Sequence, residues 1–149
     1  MTALGDFSAG DVLTAADLNA IGTWSSYTPT VTQGATTFTL SVNESRYTEI
    51  NDVVIVVVRV TLSGTGVAGN PLYFTLPVAP KTGLLRIGNG FLYDASAPYL
   101  YLTQFSYDEG PGKAGLLSEG SNGNYWGIAP NLAAASSDQI AANLVYEKA

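Results

Sequence analysis

The sequence predicts an all-β protein, an antiparallel β-sandwich of jelly-roll type that follows a short N-terminal helix. From Trp24 onward, stretches rich in Val, Thr and Tyr recur between clusters of Gly, Pro, Asn and Asp, at the spacing of about 8–12 residues that is typical of sandwiches. The first 22 residues instead carry a helix signal. We therefore divide the chain into an N-terminal anchor arm, residues 1–22, and a β domain, residues 23–149.

The arm contains the signals that begin a helix. Thr14 and Asp17 have the spacing of a capping box, with Asp in place of the usual Glu, and Leu13 and Leu18 are placed as a hydrophobic staple. These signals predict a helix over residues 15–21. A helix of two turns is marginal in water by itself, so its apolar side must dock on the β domain or on another protein. We expect five apolar residues to anchor the arm: Phe7, Val12, Leu13, Leu18 and Ile21.

The strands of the β domain follow in order, and Pro29 marks the first as an edge strand. Strands are expected over residues 25–32, 36–42, 45–50, 53–62, 72–76, 84–93, 99–107, 116–117, 125–126 and 140–146. The strand at 53–62 gives the strongest signal, because every even residue is apolar while the odd residues are apolar only from Val53 to Val57. One face of this strand should lie in the core along its whole length. The opposite face should be covered along half of its length, by a second layer or by a neighbouring subunit.

Composition excludes several classes of function. The chain has 149 residues, no Cys and no His, and 12 acidic against 6 basic residues for a net charge of −6. Disulfides, thiolate metal sites and Ser–His pairs are therefore absent. The scattered Lys and Arg argue against a nucleic-acid partner and against anionic membranes. With charged residues at only 12% and apolar residues at 46%, we expect an oligomer that hides apolar surface.

No motif for catalysis is complete. The Gly110-Pro111-Gly112-Lys113 stretch lacks the first glycine and the Ser or Thr of a phosphate loop. Paired carboxylates could still come together from distant strands, but Glu49 and Asp52, the nearest mid-chain pair, flank an expected turn. We expect no enzyme activity, no catalytic residue, no cofactor and no bound metal.

Aromatic residues are the remaining functional signal. Tyr99, Tyr101, Tyr125 and Trp126 could contact a glycan, because aromatic rings stack on sugar faces. The alternative is that these rings pack in the core or in a subunit interface, where aromatic residues contribute large apolar areas.

Residues 7–21 read F-S-A-G-D-V-L-T-A-A-D-L-N-A-I, and this stretch resembles an F-x-A-G-x-V-L-T-A-A-x-x-N motif of minor tail and tail-fibre-like proteins of tailed bacteriophages. The stretch W-S-S-Y-T-P-T that begins at Trp24 is similar to the entry into the β domain of that family. The resemblance implies a virion protein, usually a homotrimer, with the N-terminal segment near the particle and the sandwich facing outward.

Tail fibres usually have a long shaft, which this sequence lacks, so a capsid decoration protein or head fibre fits the pattern as well as a short tail fibre. We expect a structural protein of the virion surface, made in the host cytoplasm without a signal peptide and without membrane insertion. Its partners would be copies of itself and major capsid or tail proteins. The alternative is a receptor-binding, carbohydrate-binding adhesion module that contacts a host-surface glycan through distal loops at residues 64–70 and 108–112.

Overall fold

The computed structural model of the chain describes Val12, Thr14 and residues 21–83, 86–118 and 123–149. Within this part of the chain there are ten β-strands and no helix, which confirms the all-β class. The strands are β1 (Ser25–Ser26), β2 (Val31–Gln33), β3 (Thr36–Thr37), β4 (Thr39–Ile50), β5 (Val53–Ser63), β6 (Leu72–Phe74), β7 (Gly88–Asp94), β8 (Tyr99–Asp108), β9 (Lys113–Ser118) and β10 (Gln139–Glu147). The helix expected over residues 15–21 lies outside the described residues, apart from Ile21.

All ten strands belong to one antiparallel sheet, in the order β1-β4-β5-β10-β7-β8-β9-β6-β2-β3. Phe38 alone connects β3, at one edge, to β4, next to the other edge. Because consecutive Cα atoms are about 3.8 Å apart, the two edges must approach each other there. The sheet accordingly curls into a half-barrel, and the Phe38 amide donates a hydrogen bond to the carbonyl oxygen of Val31 at 3.0 Å.

The concave inner face of the curled sheet holds the core. On β5 the even residues from Val54 to Leu62 are buried, as their alternation predicts. On the same face they lie beside Ile140, Ala142 and Leu144, their buried cross-strand partners on β10. Apolar residues from β2 to β10 form a single cluster there, so the two halves of the sheet face each other across one core, as the layers of a sandwich do.

The predicted strand boundaries differ from the structure in several places, and the strand expected at 125–126 does not form, because Tyr125 makes only an isolated β-bridge with Leu117. The two strands expected at 36–42 and 45–50 are largely one strand, β4, with a β-bulge between Val42 and Glu44. At the bulge the Thr61 hydroxyl donates to the Asn43 side-chain oxygen at 3.1 Å, which lets the extra residue fit without ending the strand. The stretch 25–32 is divided into β1 and β2, and β7 begins only at Gly88.

The curled sheet has two rims. The lower rim is where β5 begins, and there the amide of Lys148 donates to the carbonyl oxygen of Asp52 at 2.8 Å. The amide of Gly83 donates to the Glu109 carboxylate, which places the turn between β8 and β9 at this rim. The upper rim is where β5 ends, and its loops comprise residues 34–35, 64–71, 95–98 and 123–137. Residues 64–70 and 108–112 therefore lie at opposite rims, and only one of these two loops can be distal.

Gln33 joins the loops of the upper rim. Its side chain is fully buried, and its amide nitrogen donates to the carbonyl oxygens of Asn70 at 3.1 Å and Leu132 at 2.8 Å. Its side-chain oxygen accepts a hydrogen bond from the amide of Ala134 at 2.9 Å. One polar side chain thus satisfies backbone groups of two loops that are far apart in sequence.

Replacing Gln33 with Ala should lower the free energy of unfolding by about 3 kcal/mol, because the change leaves buried backbone groups without partners. Urea denaturation of the purified protein measures this loss. Gln104 is exposed on β8, so Gln104→Ala serves as the matched control and should change the stability by less than about 0.5 kcal/mol. Equal effects of the two substitutions would contradict the role assigned to Gln33.

Gly90 on β7 has no room for a side chain. A Cβ atom at this position would overlap the carbonyl oxygen of Ala141 on β10 and press on the Phe105 ring. Gly90→Ala should therefore destabilise the fold by about 2 kcal/mol or more, as overpacking of a core does. Thermal unfolding tests this, with Gly110→Ala as the control because its Cβ would meet its nearest neighbour only at 3.4 Å. A Tm for Gly90→Ala equal to that of the parent would refute the argument.

Candidate functional site

The N-terminal arm joins the β domain along the outer edge of β4. Ser25 and Ser26 of β1 pair with Tyr47 and Arg46. Gly22 lies beside Thr48 and Ile50, its ideal Cβ position being 3.9 and 3.8 Å from their side chains. Because β1 runs antiparallel to β4, Gly22 lies at the lower rim, where the arm joins the domain.

A cation–π contact fixes the base of the arm. The guanidinium carbon of Arg46 lies 4.7 Å from the centre of the Trp24 ring. The same guanidinium forms an ion pair with Glu44 at 2.8 Å. Exposed pairs of this kind contribute little stability individually, but together they orient the exposed Trp24 ring against β4.

The structure describes two of the five expected anchor residues. Val12 is 82% exposed and Ile21 is 44% exposed, so their side chains are available for contact with another surface. Phe7, Leu13 and Leu18 lie outside the described residues.

The four aromatic residues expected to contact a glycan divide between the two faces of the sheet. On the inner face, Trp126 is buried and its ring centre lies 5.9 Å from that of Tyr101. The Tyr101 ring lies 4.6 Å from that of Tyr99, which is 56% exposed at the upper rim. These three residues form a continuous aromatic row that runs from the core to the upper rim.

Tyr125 belongs to a different cluster. It lies on the outer face, where its ring centre is 5.4 Å from that of Tyr73 and both rings cover Gly115. The Tyr73 hydroxyl donates to a carboxylate oxygen of Asp108 at 2.6 Å. Burial raises the pKa of both phenols, and the hydrogen bond to Asp108 raises the pKa of Tyr73 further. Sequence reasoning missed Tyr73, because its pairing with β9 is set by a long-range register.

Two carboxylates lie at the upper rim near the aromatic row. One carboxylate oxygen of Asp94, Oδ1, accepts hydrogen bonds from the Ser96 amide at 2.9 Å, the Ser96 hydroxyl at 2.7 Å and the Ala97 amide at 3.1 Å. The Asp138 carboxylate accepts from the amides of Ala95 at 2.9 Å and Ala135 at 2.8 Å. Each carboxylate therefore holds the backbone of a rim loop in place.

The pKa values of the two carboxylates are shifted in opposite directions. Hydrogen bonds, that from the Ser96 hydroxyl above all, lower the pKa of Asp94 from its ordinary value of 3.8. Burial raises the pKa of Asp138 from the same value. Burial also raises the pKa of the Tyr101 phenol, and the charges of Asp94 and Asp138 add to that effect, which shows that the aromatic row and the carboxylates are close enough to interact.

Sequence reasoning missed Asp94 and Asp138 as rim residues. The available signal was the Asp94-Ala95-Ser96 stretch, which is typical of a turn in which Asp accepts hydrogen bonds from the following backbone. A turn signal locates the carboxylate in the chain but leaves its neighbours in space undetermined.

The described parts of the upper-rim loops carry no charged residue. Residues 34–35, 64–71, 95–98 and 123–137 contain no Lys, Arg, Asp or Glu. The charged side chains that the structure describes near this rim are the two carboxylates of Asp94 and Asp138. At the lower rim, by contrast, Lys81 and Glu147 form an ion pair at 2.6 Å and Lys148 and Glu49 another at 3.0 Å.

The described residues offer neither a cluster of metal ligands nor a membrane-spanning helix. No group of three or more Asp and Glu side chains is arranged there to hold a metal ion. Nor does that part of the chain contain a helix with the length and apolar character needed to cross a membrane.

Comparison of this chain with protein-family models, with curated proteins and with solved structures found no match. Its function must therefore be argued from its own residues and their geometry.

The opposite pKa shifts predict opposite pH responses of two Asp→Asn variants. The lowered pKa of Asp94 adds stability above pH 3.8 that is lost as the pH falls through the folded-state value. At pH 7 the free energy of unfolding of Asp94→Asn should be about 1–2 kcal/mol lower than that of the parent. On acidification the free energy of unfolding of this variant should decrease less than that of the parent. The raised pKa of Asp138 has the reverse sign: its contribution is present below pH 3.8 and is lost as the pH rises.

Urea denaturation of the parent and both variants at pH 7, 5 and 3 measures how the free energy of unfolding of each protein changes with pH. Asp138→Asn is the matched comparison, and its stability should decrease more steeply than that of the parent as the pH falls. Parallel pH profiles for the two variants would show that the carboxylates are not distinguished by their surroundings.

Proposed function

We propose that this chain is a non-enzymatic structural protein of the bacteriophage virion surface. It attaches through its N-terminal arm, residues 1–22, and displays the β domain outward, as a capsid decoration or head-fibre protein or as a short tail fibre. The observation that carries the proposal is the layout of the domain. Gly22, where the arm joins the domain, lies at the lower rim, while the loops joined by Gln33 lie at the upper rim, so attachment and display would use opposite ends.

The apolar outer face supports assembly into a homotrimer. Val53 and Val145 are 41% and 58% exposed on β5 and β10, and Leu100 and Leu102 are 49% and 59% exposed on β8. Large apolar side chains exposed on one face of a low-charge domain are typical of subunit interfaces.

The carboxylates of the upper rim support the non-enzymatic part of the proposal. A glycan-cleaving enzyme requires two carboxylates that flank the bond to be cleaved. Here both Asp94 and Asp138 accept hydrogen bonds from loop backbone, which is a structural use of these groups.

A receptor-binding role is the second candidate, and one observation favours it. Tyr99 exposes more than half of its surface at the upper rim while Tyr101 and Trp126 hold it from below. In a particle-bound protein this ring would face away from the particle.

Attachment through the arm can be tested with a charged substitution. Val12→Asp should reduce binding of the full chain to particles that lack it by at least about tenfold, because burying a carboxylate in an apolar contact is costly. Co-sedimentation of the purified chain with such particles measures the bound fraction. The control is Val67→Asp, the same substitution at an exposed valine of the upper rim, which should bind as the parent does.

Imaging of intact particles at near-atomic resolution then separates the two structural roles. Density at symmetry axes of the capsid, with the arm inserted between shell proteins, would support decoration. Density at the tail tip would support a fibre. A chain that is absent from the particle, or a Val67→Asp variant that loses binding as Val12→Asp does, would contradict the proposal.

A further inference from the structure

We infer that the upper rim binds an uncharged glycan at a site formed by the Tyr99 ring and the Asp94 carboxylate. The inference deepens the receptor-binding candidate and rests on the proposed function only in that a particle-bound domain would present this rim outward. Register, exposure, hydrogen bonding and charge at the rim each contribute to the argument.

Tyr99 and Asp94 are direct cross-strand partners of β8 and β7. They lie on the inner face of the sheet, on which Leu92 and Tyr101 form the next pair. Directly opposed residues of an antiparallel pair have Cβ atoms about 5 Å apart. A ligand that covers the Tyr99 ring would therefore lie within reach of the Asp94 carboxylate.

The Tyr99 ring has the properties of a preformed stacking platform. It is 56% exposed, yet it contacts Tyr101, which in turn packs on the buried Trp126. A ring that is already held in place loses little conformational entropy when a ligand covers it. The C–H groups of a pyranose can stack on such a ring, whose face carries partial negative charge.

Asp94 supplies a hydrogen-bond acceptor beside the ring. Its Oδ1 accepts three hydrogen bonds from Ser96 and Ala97, which fix the orientation of the carboxylate. Its Oδ2 accepts no hydrogen bond from the residues that the structure describes. Asp94 is 9% exposed, so a sugar hydroxyl must enter beside the Tyr99 ring to reach that oxygen, where it would form a charge-assisted hydrogen bond, which is stronger than a neutral one.

Charge decides the class of glycan. Asp94 and Asp138 give this end of the domain a negative potential, and the described loops of the upper rim contain no Lys or Arg to balance it. Sialic acids, uronic acids and phosphorylated sugars would be repelled, whereas neutral hexoses and N-acetylhexosamines would not. The Tyr73–Tyr125 pair fits a ligand less well, because both rings cover Gly115 and the Tyr73 hydroxyl already donates to Asp108.

The test uses the purified full-length chain and saturation-transfer difference NMR. The probes are the methyl glycosides of glucose, galactose, mannose and N-acetylglucosamine, with N-acetylneuraminic acid as the anionic comparison. We expect at least one neutral glycoside to bind at millimolar concentration and the anionic sugar to bind at least tenfold more weakly.

Variants locate the site. Tyr99→Ala should weaken binding at least fivefold, whereas Tyr99→Phe should keep at least half of the affinity because the ring is retained. Asp94→Asn should also weaken binding, with Tm recorded for each variant to exclude unfolding. Trp24→Ala is the matched control, since Trp24 is another exposed aromatic residue, located on the edge of β4, and this variant should bind as the parent does.

Binding of none of the neutral glycosides, preference for the anionic sugar, or binding that survives Tyr99→Ala would each overturn the inference. The NMR measurement involves no particle, so its failure is distinguishable from failure of the virion assignment. A chain that binds the glycoside but is absent from particles would leave the glycan site standing and remove the proposed attachment.

Discussion

The single-residue connection through Phe38 is the constraint on which the architecture depends. It ties β3, at one edge of the sheet, to β4, beside the other edge, so a flat sheet is impossible. Once the sheet curls, its inner face encloses one core, and the even residues of β5 face the buried residues of the opposite half. Phe38 itself is buried beside Gly64 and Gly66, and its amide is bonded to Val31. The connection therefore belongs to the core rather than to an exposed loop.

Curling also creates the two rims, which are held by different interactions. The lower rim has exposed ion pairs that involve Lys81 and Lys148, and salt screens such pairs readily. The upper rim has Gln33, Asp94 and Asp138, whose hydrogen bonds to backbone groups are buried or partly buried. Stabilisation of this kind requires no surface charge, and the described loops of the upper rim carry none. It also leaves that rim suited to partners that carry no charge.

The sequence was most informative where local pattern decides structure. Strict alternation from Val54 to Leu62 predicted the buried face of β5, because the period of a strand is two. Strand pairing was less accessible: nothing near Tyr99 in the sequence indicates that Asp94 lies opposite to it or that Trp126 packs beneath Tyr101. Those relations depend on a register between strands and on a loop that returns from residue 126. Adjacent residues of an extended chain point to opposite faces, and Tyr125 and Trp126 accordingly join different clusters, but which cluster each joins was not accessible from the sequence.

Trp126 shows how the core and the candidate site are coupled. Its indole nitrogen, Nε1, is buried without a hydrogen-bond partner among the described residues, and so is the Thr103 hydroxyl, two residues along the same face from Tyr101. Unsatisfied buried groups cost about 1–3 kcal/mol each, and a Phe at position 126 would avoid that cost for the ring. The indole instead fills the space beneath Tyr101 as the largest of the fully buried side chains. Its volume positions Tyr101, and through Tyr101 it positions Tyr99. The unsatisfied indole N–H would lower the stability of the core, while the same side chain holds the Tyr99 ring rigid at the upper rim.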